Sequence, residues 1–82
     1  MIQISAHARR RMKEKNIAEE DVLNTIHDGE EAYENISEQK RGSRMGFGNK
    51  YLIVIWRQQS DDIEVVIVYW RNRKLPKYTF IE

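Results

Sequence analysis

Apolar positions recur along this chain with two periods, and the change falls near residue 30. Before it the spacing is helical. Ser5 can cap a first helix from Ala6 to Lys15, because its hydroxyl can accept from an otherwise unpaired backbone N–H. Ala8 and Met12, four apart, form a narrow apolar stripe with Ile4 and Ile17 at its ends. Asn16 suits the left-handed position after the helix, with apolar Ile17 just beyond. A second helix is predicted from Glu19 to about Asp28. Glu19, Glu20 and Asp21 suit the positive end of its dipole, Val22, Leu23 and Ile26 form its buried face, and Gly29 is a natural stop.

Beyond Gly29 the pattern is that of strands. "EEAYENIS" reads as a weak extended segment, and "KRGSRMGFGNKY" as a strand entering a Gly-Asn turn. "YLIVIWR" and "IEVVIVYWR" are clear strands, rich in β-branched and aromatic residues, joined by the hairpin loop "QQSDD". Both are apolar on nearly every position, so they should be central and covered on at least one face. The tail "KLPKYTFIE" is expected to add an edge strand or dock on the sheet. The fold class is therefore α+β. Two N-terminal helices pack on a four-stranded antiparallel sheet, in the order ααββββ, as one domain over residues 1–82.

Composition narrows the chemistry. Without cysteine there is no disulfide, thiolate nucleophile or Cys-based zinc site. A domain this small has little room for a deep cofactor pocket. No apolar run reaches the ~20 residues of a membrane span, and the start lacks the apolar core of a signal peptide, so a cytoplasmic protein without a membrane partner is expected. The net charge is only +1, yet it is segregated: residues 1–15 carry +4, residues 16–38 carry eight acids and no Lys or Arg, residues 39–57 carry five cations and no acid, and residues 58–82 balance. Two basic blocks could converge on a polyanion.

Candidate chemistry sits in those blocks. His7 shares a helix face with Arg10 and Arg11, while Arg9 and Lys13 form a second row. A histidine can act as general acid or base, and neighbouring arginines can hold phosphate. The alternative is a solvated basic face with a partly buried histidine. In "YWRNRK", strand parity puts Tyr69, Arg71 and Arg73 on one face and Trp70 on the other. Tyr and Arg at a strand end can stack on bases and hold phosphates, or simply guard the edge against aggregation. Arg44 and Arg57 could join them, as could Arg41 from a loop. His27 reads as a helix-end residue. No metal-ligand spacing, GxGxxG or P-loop is present, "GFGN" is followed by a strand and not by a helix, and Ser5 has no visible triad partner.

"SAHARRRMKEKNIAEEDVLNTIHDGE" resembles the domain-of-unknown-function family 4258, small bacterial proteins with a pattern near S-x-H-A-x-x-R-M-x-E-R-G-I-S-x-x-D-V, then I-x-x-G. Ser5, His7, Ala8, Arg11, Met12, Glu14, Ile17, Asp21, Val22, Ile26 and Gly29 match it. The strands "YLIVIW" and "VVIVYWRN" resemble the family's closing hairpin. Lys15, Asn16 and Ala18 depart from it, standing where Arg, Gly and Ser are usual.

The family is similar in outline to RelE-like and BrnT-like toxin ribonucleases. The resemblance therefore implies a RelE-like topology and a metal-independent endoribonuclease of a toxin–antitoxin pair. RNA would be its substrate, a cognate antitoxin its protein partner, and no cofactor would be needed. Cleavage would proceed by attack of the RNA 2′-OH on the adjacent phosphorus. On that reading His7 does acid–base work, Arg11 and Arg44 stabilise the phosphate, and Tyr69 and Arg71 orient base and backbone. Arg10, Arg41, Arg57 and Arg73 bind RNA. The competing reading is a noncatalytic module that binds nucleic acid or an acidic partner protein through the same faces.

Overall fold

In a computed structural model, residues 1–31 and 40–72 are described. Among them a short strand β1 (Ile2–Ile4) leads into α1 (Ala6–Lys15) and α2 (Glu19–Asp28). There follow β2 (Glu30–Glu31), β3 (Lys40–Phe47), β4 (Lys50–Gln59) and β5 (Asp62–Asn72). The sheet order is β1-β5-β4-β3-β2, antiparallel except that β1 runs parallel to β5. No described helix is long and apolar enough to cross a membrane.

The α+β class and the two packed helices agree with the sequence reading. The four-stranded, wholly antiparallel sheet is corrected to a five-stranded mixed one, and it does not match the expected RelE-like topology in full. The physical reason is β1. Three residues carry too little pattern to announce a strand, and Ile2–Ile4 is ordered by its partner, pairing with Ile63 to Val65 some sixty residues away. The segment read as "EEAYENIS" is represented by β2 at its start; its remainder and the "KLPKYTFIE" tail lie outside the described residues.

Both helix ends of α1 follow local chemistry. Ser5 Oγ accepts from Ala8 N at 3.1 Å and donates to the Val66 carbonyl at 3.3 Å, so one hydroxyl caps the helix and ties it to β5. Asn16 adopts φ 60° and ψ 48°; its N–H reaches Lys13 O, and Ile17 N reaches Met12 O at 2.8 Å, which closes a Schellman turn. The first residue after α2, Gly29, is needed for its small size. A Cβ there would collide with the carbonyl oxygens of Thr25 and Arg44, because the helix end abuts β3.

α1 packs on β5, and α2 on β3 and β4. Their shared core holds Ala8, Met12, Ile17 and Val22 against Leu52, Val54, Trp56, Val65 and Val68. In α2 the second buried residue is Thr25, with Leu23 only half-buried. The threonine hydroxyl donates to Asp21 O at 2.7 Å, so its polar atom enters the interior already satisfied. Trp56 does likewise: its indole N–H donates to Ser43 Oγ at 3.0 Å in the core. The opposite sheet face carries a smaller cluster, Ile53 and Ile55 with Tyr51, Ile67 and Tyr69.

A bulge sets which residues of β5 face where. Ile55 pairs with Ile67 but Trp56 pairs with Val65, which leaves Val66 as the extra residue. Parity therefore flips at Val66. Val65, Val68 and Trp70 face the helices, while Ile67, Tyr69 and Arg71 face the other way.

Candidate nucleic-acid groove

The groove begins where β1 stops. β1 accompanies β5 only as far as Val65, and Ser5 N closes that ladder on Val65 O at 3.0 Å. From there α1 runs beside β5 in place of a strand. On α1 the residues His7, Arg11 and Lys15, each four apart, form one row beside the buried Ala8–Met12 stripe. That row overhangs β5 and bounds an open groove of about 570 Å³. Its floor is four consecutive residues, Ile67 to Trp70, and Lys50 closes its far side.

Trp70 joins the two walls. Its indole N–H points to Lys15 O at 3.5 Å, Phe47 meets its ring edge-on at 6.0 Å, and the Lys50 ammonium lies 5.9 Å from the ring centroid. Lys50 reaches this position because the hairpin register pairs Phe47 with Lys50 and Lys50 with Asn72, next to Trp70.

Charge pairing differs among the basic side chains. Outside the groove, four arginines are matched with acids: Arg9 with Glu19 at 3.5 Å, Arg41 with Glu31 at 2.9 Å, Arg44 with Glu30 at 2.7 Å and Arg57 with Glu64 at 2.8 Å. Within it, Arg11 has only an exposed contact to Glu14 at 4.0 Å, which contributes little. His7, Lys15 and Lys50 have no carboxylate at ion-pair distance among the described residues. His7, Lys15 and Lys50 thus stand beside the Trp70 ring without a close acid, as Arg10, Lys13 and Lys40 do elsewhere among the described residues.

Of the residues singled out in the sequence, His7, Arg11 and Tyr69 line this groove. Arg71 lines an adjoining hollow of about 190 Å³ with Asn49, Lys50, Trp70 and Asn72. Arg44 lies elsewhere. It is buried under Tyr51, with its guanidinium 4.2 Å from the ring centroid, in a separate recess near Gly29 and Glu30. Arg10 is exposed on the outward side of α1. Arg41 is on β3, not in a loop. Arg57 is seven residues along β4 from Lys50, roughly 23 Å at the rise of a strand. Arg73 lies outside the described residues.

Lys15, Lys50 and Trp70 were not among the residues expected in the site. Lys15 had a sequence signal, the unbroken four-residue spacing from His7 and Arg11. Lys50 and Trp70 had none, since only the hairpin register brings them together. No cluster of three or more His, Asp or Glu side chains suited to a metal occurs among the described residues.

Comparison with known proteins gives one match. Residues 4–72 match the model of a family described as "Domain of unknown function (DUF4258)". No curated protein and no solved structure matches the chain.

Proposed function

Because the chain belongs to the DUF4258 family, whose description assigns no chemistry, we propose its function from the groove: it binds RNA there and cleaves it without a metal, as the toxin of a bacterial toxin–antitoxin pair acting in the cytoplasm. The supporting observation is one helix row of His7, Arg11 and Lys15 that faces Lys50 and the Trp70 ring across an open groove, with no acid among its lining residues. Phosphates suit the cations, and an unstacked base suits the indole ring.

In this reading His7 takes the proton from the RNA 2′-OH. The 2′ oxygen bonds to the adjacent phosphorus, the bond from phosphorus to the 5′ oxygen breaks, and the leaving oxygen takes a proton from a groove ammonium that solvent restores. Arg11 and Lys15 stabilise the charge that develops on the phosphorane. The products are a 2′,3′-cyclic phosphate and a 5′-hydroxyl. Arg44 serves the fold.

The test is incubation of the purified chain with end-labelled RNA in EDTA. Cyclic-phosphate ends are expected, with cleavage abolished and binding kept in His7→Ala. Expression is expected to arrest growth in the wild type and not in the variant. Absence of both binding and cleavage overturns the reading. A second reading rests on the groove's single imidazole, which supplies one general acid–base group where cleavage uses two proton transfers. It is a noncatalytic module for RNA or an acidic protein, selected by salt-dependent binding that leaves no product and survives His7→Ala.

A further inference from the structure

The hollow at the hairpin end of the groove has a different chemistry from the groove itself. Its lining is Asn49, Lys50, Trp70, Arg71 and Asn72. Lys50 and Trp70 line both cavities, so the two adjoin. The groove is walled by cations. The hollow adds two carboxamides and Arg71 beside the same indole.

Asn49 is the second residue of the two-residue turn between β3 and β4. Gly48 takes the first position with φ +66°, as a type II′ turn requires. The turn therefore needs nothing from the Asn49 side chain. That residue is exposed, and its carboxamide makes no hydrogen bond among the described residues. A carboxamide offers a donor and an acceptor side by side. Phosphate oxygens only accept, so a phosphate would leave the carbonyl side unused. The edge of a nucleobase carries donors and acceptors together, and its flat face matches an indole.

We infer that this hollow is a nucleobase subsite: one unstacked base of a bound RNA lies against Trp70 with its hydrogen-bonding edge on Asn49, and Lys50 holds the phosphate where hollow and groove meet. The inference rests on the RNA reading of the groove and adds base selectivity to it. Selectivity resides at the turn, while His7 acts at the other end of the cationic row. Asn49 is a specificity residue and Trp70 a platform.

The experiment measures binding of short oligoadenylate, oligocytidylate and oligouridylate to the whole chain, with tryptophan fluorescence as a second readout. Wild type is expected to discriminate between the best and worst oligomer by about tenfold, the range of one bidentate amide contact. Asn49→Ala is expected to narrow that ratio to about twofold while keeping the same salt dependence. Indole emission is expected to change on binding, because Trp70 is half-buried beside the hollow while Trp56 lies in the core. Asn49 is an exposed turn residue, so its variant should fold. Equal wild-type affinities for the three oligomers without an emission change overturn the subsite and leave the groove standing, as does unchanged discrimination in Asn49→Ala. No binding of any oligomer overturns both.

Discussion

Arg44 is buried to 6% side-chain exposure, yet Glu30, whose Oε1 accepts from its Nε and Nη2 at 2.7 Å, stays 66% exposed. The acid keeps most of its hydration while the guanidinium is sandwiched between it and Tyr51. Such a cation packs as much as it pairs. Arg44→Ala should therefore destabilise the chain by about 2–3 kcal/mol through lost packing and a lost charged bond. Arg44→Met, which keeps the stem, should cost about 1 kcal/mol. Urea unfolding checks both. RNA cleavage per folded molecule should be unchanged in Arg44→Met; a large loss there would return Arg44 to the catalytic set.

How much of this was legible follows from how local each cause is. The ends of α1 could be read because Ser5 and Asn16 act within four residues of themselves. His7 with Arg11 could be read from helical spacing, and Tyr69 opposite Trp70 from strand parity. The bulge at Val66 could not. In "IEVVIVYW" every position from Val65 to Trp70 is apolar or aromatic, so no alternation marks the flip. β1 depends on a strand sixty residues away. Arg44 looked like a free cation of a basic block, because its acid, Glu30, lies in the acidic block and meets it only when β2 pairs with β3. Thr25 carried no apolar signal, and it enters the core because its hydroxyl finds a partner, Asp21 O, inside its own helix.

Gly29 ties the end of α2 to β3 by close approach. Its φ is −77°, within the range of any residue, so conformation does not demand glycine. The obstacle is two backbone carbonyls, which cannot rotate away as a side chain could. Gly29→Ala should cost about 2–3 kcal/mol, in the range of overpacking. A lowered urea midpoint with unchanged slope is the expected result. A neutral outcome would mean that α2 can shift away from β3 without loss.

The two helix starts differ by one hydroxyl. Ala18 has the extended geometry of an N-cap, φ −78° and ψ 144°, with no side-chain bond to offer. Ala18→Ser should stabilise by about 0.5–1 kcal/mol. Ser5→Ala should destabilise by about 1–2 kcal/mol, because it removes both the cap to Ala8 N and the bond to Val66 O. Thermal melts of the two variants should move in opposite directions, and the shift for Ser5→Ala should be the larger.

The position of a cation, more than its presence, should decide its part in RNA binding. Lys15 and Lys50 line the groove, whereas Lys13 is exposed on the other side of the Ala8–Met12 stripe, with Arg9. A side chain that neutralises one phosphate releases condensed counterions, and for single strands each such contact steepens the salt dependence by about 0.7 in the log–log slope. Lys15→Gln and Lys50→Gln should each flatten the slope by about that amount. Lys13→Gln removes the same formal charge and should leave the slope unchanged, because no phosphate in the groove lies within its reach. Equal effects of all three substitutions would mean that binding follows total charge, and the groove would lose its claim to be the site.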